Sequence, residues 1–312
     1  MTAKLPAHTK ALVVQASSEP RKPVYHDAVL VERPLPKPQA GQVVVKIGAA
    51  GFNHKDVWIR KGQYPNIGMG AVYGGDGAGT VVASGNSSDV LLEKRVFLNP
   101  SRAAWPIGGV TAWRAVAVNA QVEAGQNVLI TGIGGGVALI ALQLCLAKGA
   151  NVYVTSGSPD KLQKAIELGA KGGANYKDRN WPSQIRELLS KDKKNDMLDA
   201  VIDSAGGDIM NQAGKLLKQG GRVVCYGMTA SPDIKFTMRQ VLANQQLLGS
   251  TMGSHQDLRD ATAFIEKHRI VPIVSHVVDG LESAEQGFEL IKRGDQFGKV
   301  VIKLRQRDDT KL

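Results

Sequence analysis

Cysteine, aromatic residues and long apolar runs are scarce in this 312-residue chain, and each scarcity excludes a class of protein. The two cysteines, Cys145 and Cys225, are too few for a disulfide framework or a four-cysteine zinc lobe, so we expect small core residues in a reducing compartment. No apolar run is long enough for a membrane-spanning helix. The first twelve residues contain no arginine and no apolar signal-peptide core. We therefore expect a cytoplasmic protein without membrane contact.

The formal net charge of +11 raises the question of nucleic-acid binding. Lysine and arginine are dispersed along the chain, aromatic residues make up only 5%, and the densest cationic segment, 191–194, is interrupted by Asp192. Proteins that bind nucleic acids commonly concentrate their positive charge on one face. An RNA-binding role would rest on charge alone, so we expect the charge to attract an anionic cofactor and to aid solubility.

Four glycines within five positions organise the middle of the chain. They follow an apolar run at 127–131 and precede 137–148, whose leucines and alanines indicate a buried helix. Glycine is needed where a backbone turn approaches a pyrophosphate at a helix N-terminus, although an ordinary tight turn can also need it. A second strand at 151–155 and a second helix at 161–168 favour a dinucleotide-binding βαβ unit. The residues expected at the phosphates are Gly132, Gly135, Gly136 and Val137.

The end of the second strand indicates which dinucleotide is bound. An NAD site commonly carries Asp or Glu there to hold the ribose 2′-hydroxyl. Here the strand leads into Ser156, Ser158 and Lys161, whose hydroxyls and cation suit a 2′-phosphate. Ser158 could instead cap the next helix, with Pro159 at the first helical position and Asp160 favouring the helix dipole, and both roles can hold together. We therefore expect NADPH rather than NADH.

The rest of the chain divides into a strand-rich N-terminal part and an alternating part that begins near Thr111. This order predicts an α/β fold, in which a doubly wound parallel Rossmann sheet is combined with a β-rich domain. Strands are expected at 10–15, 42–48, 173–176, 198–204, 221–226 and 247–251, and a further helix at 181–190.

Five separated motifs together resemble the medium-chain dehydrogenase/reductase superfamily. They lie at 49–56, 73–79, 109–113, 132–138 and 297–302. Because they occur in the expected order over nearly the whole chain, the resemblance is specific. Within the superfamily the chain is similar to the zinc-independent, ζ-crystallin-like quinone oxidoreductase branch, in a form like its fungal members. The resemblance allows a homodimer, since family members are often dimers.

The resemblance also sets the expectation for a metal. Alcohol-dehydrogenase members hold a catalytic zinc through two cysteines and a histidine, and the matching positions here are Asn53, Gly75 and Ile107. None of these can replace a thiolate or an imidazole. We therefore expect no metal, and without a Lewis acid that lowers the pKa of an alcohol, reduction is favoured over alcohol oxidation.

For zinc-free relatives the resemblance implies hydride transfer from NADPH to a quinone or to the β-carbon of an activated enone. Asn53 is the expected polar contact to the acceptor, Asp56 is expected to hold the local loop, and Tyr64 is a candidate proton donor, although each has a purely structural alternative. Further cofactor residues, expected from the resemblance or from their place at strand ends, are Thr111, Tyr176, Gly227, Met228, Phe297 and Lys299.

One departure from the family concerns length. Only a handful of residues separates the segment at 95–101 from the motif at 109–113, where family members usually have several dozen. This implies a shortened catalytic domain with exposed strand edges and an incomplete substrate pocket. The alternative function is therefore a non-catalytic NADPH-binding sensor or partner module. The implied domains are a shortened GroES-like catalytic domain at 1–110, a Rossmann domain at 111–267 and a C-terminal return to the catalytic domain at 268–312.

Overall fold

The computed structural model describes residues 5–18, 25–86, 88–98, 107–191 and 195–304. The chain forms two compact units, which we call the split unit (Met1–Pro106 with Val274–Leu312) and the continuous unit (Ile107–Ile273). The units divide at 106 and 273, where the sequence-based expectation placed the limits at 110 and 267. The segment in which the shortening was inferred includes 99–106, which lies outside the described residues.

The N-terminal part of the split unit is rich in strands. Its described elements are β1 (His8–Ala16), β2 (His26–Pro34), β3 (Val43–Gly51), α1 (His54–Arg60), β4 (Asp76–Ser84) and β5 (Arg95–Phe97). The strands predicted at 10–15 and 42–48 are confirmed as β1 and β3. Helix α1 was not predicted, because its buried residues include Asp56 and Arg60 and its pattern is therefore not that of an apolar face.

Strands and helices alternate along the continuous unit. They are α2 (Ile107–Trp113), a π-helix (Arg114–Asn119), β6 (Asn127–Ile130), α3 (Gly136–Ala147), β7 (Asn151–Ser156), α4 (Pro159–Glu167), β8 (Gly172–Asn175), α5 (Trp181–Leu189), β9 (Leu198–Asp203), α6 (Ile209–Ala213), β10 (Leu217–Cys225), α7 (Met238–Leu242), β11 (Gln246–Gly249) and α8 (His255–Lys267). The predicted strands and helices of this unit are confirmed, and the largest difference is that β10 begins at Leu217 instead of Gly221. In the described ranges, no helix combines the length and the apolar character that crossing a bilayer requires.

The six strands of the continuous unit form one parallel sheet in the order β11-β10-β9-β6-β7-β8. Every residue of β6 and β9 is buried, as expected for central strands of a parallel sheet covered by helices. The strand order reverses between β6 and β9. Doubly wound sheets bind their ligands at the carboxyl ends of the strands at such a reversal, so this edge positions the first candidate site.

The split unit combines both ends of the chain. Its C-terminal elements are β12 (Val274–Asp279), a 3₁₀ turn (Leu281–Ser283), α9 (Ala284–Arg293) and β13 (Lys299–Lys303). One sheet has the order β12-β13-β3-β4-β5, with β13 antiparallel to β3 and Val301 opposite Gly51, while β1 and β2 form a separate antiparallel pair. The last strand is therefore paired with a strand from the first sixth of the chain.

Helix α9 fixes the corner that follows β3. Its buried residues, Ala284, Gly287, Phe288 and Ile291, are spaced as one helical face. The rings of Phe52 and Phe288 meet edge to face with centroids 5.2 Å apart, and a Cβ at Gly287 would lie 2.3 Å from the Phe52 ring. Phe52 is thus anchored in the core, and the residue after it begins the second candidate site.

Candidate functional site

The turn between β6 and α3 lies at the strand-order reversal. Gly132 and Gly134 have φ values of 64° and 121°, which residues with a Cβ rarely adopt, and a Cβ at Gly132 would lie 2.7 Å from Ser204 Oγ. Gly135 differs, because its φ is −70° and the nearest atom to a Cβ there is 3.8 Å away. The fold therefore does not require glycine at 135. The open space at the N-terminus of the 12-residue helix α3, whose first turn begins with Gly136 and Val137, fits a pyrophosphate.

The carboxylate of Asp203 holds the ends of β6 and β9 together. Asp203 is fully buried, and Thr131 Oγ1 donates a 2.6 Å hydrogen bond to its Oδ1. Its Oδ2 accepts hydrogen bonds from the backbone N–H groups of Ala205 and Gly206, at 3.1 and 2.7 Å. Burial raises the pKa of Asp203, and these hydrogen bonds oppose the rise. Sequence reasoning missed Asp203, although a carboxylate that ends an apolar strand shortly before two glycines was a usable signal.

Ser156, Ser158 and Lys161 lie where β7 ends and α4 begins. Ser156 is buried, and its Oγ accepts a 3.2 Å hydrogen bond from the backbone N–H of Ser158. Ser158 is the N-cap of α4 and Pro159 its first residue, but the Ser158 side chain makes no capping hydrogen bond. Ser158 therefore occupies the N-cap position, as the capping alternative expected, without making the capping hydrogen bond. Lys161 lies in the first turn of the helix.

Tyr176 and Lys177 lie over the same strand end. A Cβ at Gly157 would be 2.8 Å from the Tyr176 hydroxyl and 2.9 Å from Lys177 Cε. Both side chains are exposed. Lys177 was not predicted as a site residue, because it follows β8 and only the pairing of β8 with β7 brings it to this place. The strand end therefore has a second cation near it.

The remaining predicted cofactor residues belong to both units. Thr111 is buried in α2, and its hydroxyl has no hydrogen-bond partner among the described residues. Gly227 lies close to the loop after β9, since a Cβ there would be 2.6 Å from Ser204 O, and Met228 beside it is 54% exposed. Phe297 belongs to the split unit, where its backbone N–H donates a 3.1 Å hydrogen bond to Ser275 Oγ.

The second candidate site is a buried polar cluster in the split unit, formed by Asn53, Asp76 and Lys299. Lys299 Nζ donates hydrogen bonds to Asn53 Oδ1 at 2.7 Å, to Asp76 Oδ2 at 3.0 Å and to the Phe52 carbonyl at 3.0 Å. Asn53 Nδ2 in turn donates to Asp76 Oδ2 at 2.9 Å. The structure thus joins the predicted residues Asn53 and Lys299 directly, and both also donate to Asp76, which was not predicted as a site residue.

Asp56 lies beside this cluster in the first turn of α1. Its Oδ2 accepts a 2.9 Å hydrogen bond from the Asn53 backbone N–H, whereas its buried Oδ1 has no hydrogen-bond partner in the described part of the chain. Burial raises the pKa of Asp56 to about 6, against the lowering effects of that hydrogen bond and of Lys55 and Lys299. Tyr64 is half-buried in the loop after α1, and within the described residues its hydroxyl makes no hydrogen bond to the cluster.

The cluster tests whether these residues fit the catalytic zinc that alcohol-dehydrogenase members of the superfamily hold. Asn53 stands at one matching position, and its oxygen is directed to the Lys299 ammonium. Asp76 follows the second matching position, Gly75, and its carboxylate accepts from the same ammonium. Among the residues the structure describes, no three His, Cys, Asp or Glu side chains are grouped so that they could hold a metal ion. These residues do not fit a catalytic zinc, because neither Asn53 nor Gly75 supplies a thiolate or an imidazole and because Asn53 Oδ1 and Asp76 Oδ2 accept from the Lys299 ammonium.

Comparison with known families agrees with this architecture. Residues 136–267 match the family described as zinc-binding dehydrogenase, and residues 39–149 match the alcohol dehydrogenase GroES-like domain. The crystal structure of an NAD-dependent alcohol dehydrogenase superimposes with a TM-score of 0.78 at 28% identity, covering 95% of this chain and 100% of the other. The expected fold class, a Rossmann sheet with a GroES-like domain, is confirmed.

Two curated relatives extend the comparison. The zinc-type alcohol dehydrogenase-like protein YogA of Leptosphaeria maculans is 36% identical over 338 residues, covering 88% of this chain and 93% of the relative. A quinone oxidoreductase of Mus musculus is 29% identical over 307 residues, covering 86% and 91%. The 338 aligned positions exceed the 312 residues of this chain, so the fungal protein has residues where this chain has none. Both family matches and the 36% identity show that the chain belongs to the medium-chain dehydrogenase/reductase superfamily of oxidoreductases.

Proposed function

We propose that this chain is a zinc-independent, NADPH-dependent reductase that transfers a hydride to a quinone or an activated enone. The observation that carries the proposal is the Lys299 ammonium bound by Asn53 and Asp76 where zinc-dependent relatives would place their metal ligands. With the cation already supplied by a side chain, a metal-activated alcohol is not the expected substrate. An acceptor whose own carbonyl stabilises the incoming electron pair needs no such metal.

The residues proposed to hold the cofactor belong mainly to the continuous unit. The free N–H groups at the start of α3 would bind the pyrophosphate, with Gly135 leaving room for it and Asp203 fixing the adjacent loop. The ribose 2′-phosphate would be bound by hydroxyl groups and cations at the end of β7. These are Ser156, Ser158, Lys161 and Lys177, with Tyr176 beside the adenosine and Thr111, Gly227, Met228 and Phe297 as further candidates.

The proposed reaction balances as a two-electron reduction. The acceptor takes a hydride from the reduced nicotinamide and one proton from a side chain or solvent, which converts a quinone to a hydroquinone or an enone to a saturated ketone. Asp56, whose burial raises its pKa to about 6, and Tyr64 are the proposed candidates for moving this proton. Asn53 is proposed to orient the acceptor side of the site.

A specific observation supports the second candidate function, a non-catalytic NADPH-binding sensor or partner module. The alignment with the L. maculans protein contains positions at which this chain has no residue. If these positions include the acceptor pocket, NADPH would bind without being consumed. Binding and turnover therefore have to be measured separately.

The test uses the purified full chain with NADPH or NADH and either a benzoquinone or an α,β-unsaturated ketone. We expect the absorbance of the reduced nicotinamide to fall faster with NADPH than with NADH. A ligand at one hundred times its dissociation constant stabilises the native state by about 2.7 kcal/mol, so NADPH should also raise the melting temperature. A raised melting temperature without turnover would support the sensor instead.

Gly135→Leu is the matched control for that assay. The space around a Cβ at this position predicts that the variant keeps a cooperative thermal transition, while the leucine fills the pyrophosphate space. Loss of NADPH binding in a folded variant is the expected result. Unchanged NADPH affinity would show that the cofactor does not use this turn.

A further inference from the structure

The Lys299 ammonium has no N–H group left for a ligand. An ammonium carries three N–H donors, and Lys299 directs them to Phe52 O, Asn53 Oδ1 and Asp76 Oδ2 at 3.0, 2.7 and 3.0 Å. The Lys299 and Asp76 side chains are only 14% and 6% exposed. A cofactor phosphate could therefore bind this ammonium only by displacing one of its three buried acceptors.

The lysine also decides which way the Asn53 amide faces. Because an ammonium only donates and a carboxylate only accepts, the amide must turn its oxygen to Lys299 and its nitrogen to Asp76. The nitrogen donates its two hydrogens to Asp76 Oδ2 at 2.9 Å and to Gly51 O at 3.2 Å. Asn53 is thus held in a single orientation by charged partners on both sides.

The backbone around the cluster is shaped for this close approach. A Cβ at Gly51 would lie 3.0 Å from Asp76 Oδ2 and 3.4 Å from Lys299 Cε. The absence of a side chain at 51 lets β3, β4 and β13 bring their polar groups together. The corner between β3 and α1 is therefore clamped from two neighbouring strands.

We propose that Lys299 is a positioning residue and not a cofactor ligand. Its ammonium is the fixed cation of this site and holds Phe52 and Asn53 at the corner between β3 and α1. This replaces the expectation that Lys299 binds NADPH. The inference rests on the proposed reductase only for its kinetic readout. Its chemical readout is independent of any activity.

The chemical readout is the rate at which an amine-acylating reagent modifies each lysine, followed by mass spectrometry. Lys303, exposed at the other end of β13, is the matched control. We expect Lys299 to be modified far more slowly than Lys303 in the free protein, with no further slowing when NADPH is added. The same experiment on Asp76→Asn should accelerate modification of Lys299 but not of Lys303. Equal rates for the two lysines in the wild type, or protection of Lys299 that appears only with NADPH, would overturn the proposal.

The kinetic readout separates positioning from binding. We expect Asp76→Asn and Lys299→Met to lower kcat by about 100-fold, as a small misplacement of a reacting group can do, with the NADPH dissociation constant unchanged. Lys299→Arg should recover part of kcat because it restores the charge, and Lys303→Met should match the wild type. A weaker NADPH affinity with unchanged kcat would make Lys299 a cofactor ligand and refute positioning.

The two readouts fail in different ways. If the wild type shows no reductase turnover, the proposed function is wrong and the labelling rates still decide the role of Lys299. If Lys299→Met does not fold, Asp76→Asn carries both measurements, since an asparagine can still accept a hydrogen bond from the ammonium.

Discussion

The two units stabilise their buried ionic groups in opposite ways. In the continuous unit, Asp203 accepts hydrogen bonds from the backbone of residues two and three positions further along the chain. In the split unit, Lys299 is bound by Asn53 and Asp76, which are 246 and 223 positions away. The first arrangement combines the loop after β9 with one hydrogen bond from Thr131 Oγ1 at the end of the adjacent strand, whereas the second forms only when β13, β3 and β4 are paired. The two candidate sites should therefore respond differently to mutation, pH and partial unfolding.

The largest expected effect is the loss of the Lys299 charge. Lys299→Met leaves Asp76 as a buried carboxylate without its cation, which should lower the free energy of unfolding by about 3 to 5 kcal/mol. The control is Lys218→Met in the continuous unit, where Lys218 is 44% exposed and its buried partner Asp199 keeps hydrogen bonds from the Asn127 backbone N–H and from Asn195 Nδ2. That variant should lose about 1 kcal/mol or less. Urea denaturation measures both, and equal losses would remove the contrast between the units.

The next effect is a pH dependence that Asp56 contributes to the split unit. Its pKa is raised from 3.8 to about 6, so between these values the native state binds more protons than the unfolded state. The contribution of Asp56 to stability is therefore greatest below the lower value and is lost as the pH rises through the upper one. A difference of about two pKa units corresponds to about 3 kcal/mol.

Asp56→Asn tests this sign. Relative to the wild type, the variant should gain stability as the pH rises from about 4 to about 7, because its amide never ionises. Melting temperatures of both proteins across this range give the measurement. A variant that loses stability as the pH rises would contradict the raised pKa.

A smaller, selective effect is expected at the end of β7 in the continuous unit. Lys161→Glu should weaken NADPH binding by about tenfold or more, since a charge-assisted contact to the 2′-phosphate is lost, and should affect NADH much less. Lys171→Glu, an exposed charge reversal just before β8, is the control. Equal losses for the two nucleotides, measured by nicotinamide fluorescence, would refute the 2′-phosphate assignment.

The smallest expected effect on stability distinguishes Gly132 from Gly135, two glycines of the turn between β6 and α3. Gly132→Ala places a Cβ at a φ of 64° and 2.7 Å from Ser204 Oγ, so it should cost about 1 to 2 kcal/mol. Gly135→Ala has space for its Cβ and should leave thermal stability unchanged while weakening NADPH binding. Thermal unfolding with and without NADPH distinguishes the two roles. Equal destabilisation of both variants with NADPH binding retained would mean that both glycines serve only the fold.

The elements of the continuous unit were predictable because each is encoded locally. The apolar run of β6, the glycines after it and the leucines of α3 follow one another directly, and helix-covered parallel strands are apolar along their whole length. The same locality places Ser156 and Lys161 together at one strand end. Lys177 was missed because it reaches that place only through the pairing of β7 with β8.

In the split unit, local sequence patterns did not predict which residues contact each other. Asn53 and Lys299 were both singled out, yet no feature of either motif indicated that one binds the other. Their contact depends on the antiparallel pairing of β13 with β3, with Val301 opposite Gly51. Helix α1 escaped prediction for a related reason, since its buried Arg60 is held by a distant segment, where Arg60 Nε donates a hydrogen bond to the His26 carbonyl.

The sequence by itself determined the superfamily, the Rossmann sheet and the place of the glycine turn, because periodicity, glycine spacing and ordered motifs are properties of neighbouring residues. Only the tertiary structure decided that the Lys299 ammonium donates its hydrogen bonds to Asn53, Asp76 and Phe52. It also decided that Asp203, at the end of the adjacent strand, fixes Thr131 before the glycine turn. The physical reason is that a buried charge must find its partners in space, and which residues meet is set by how the strands pair.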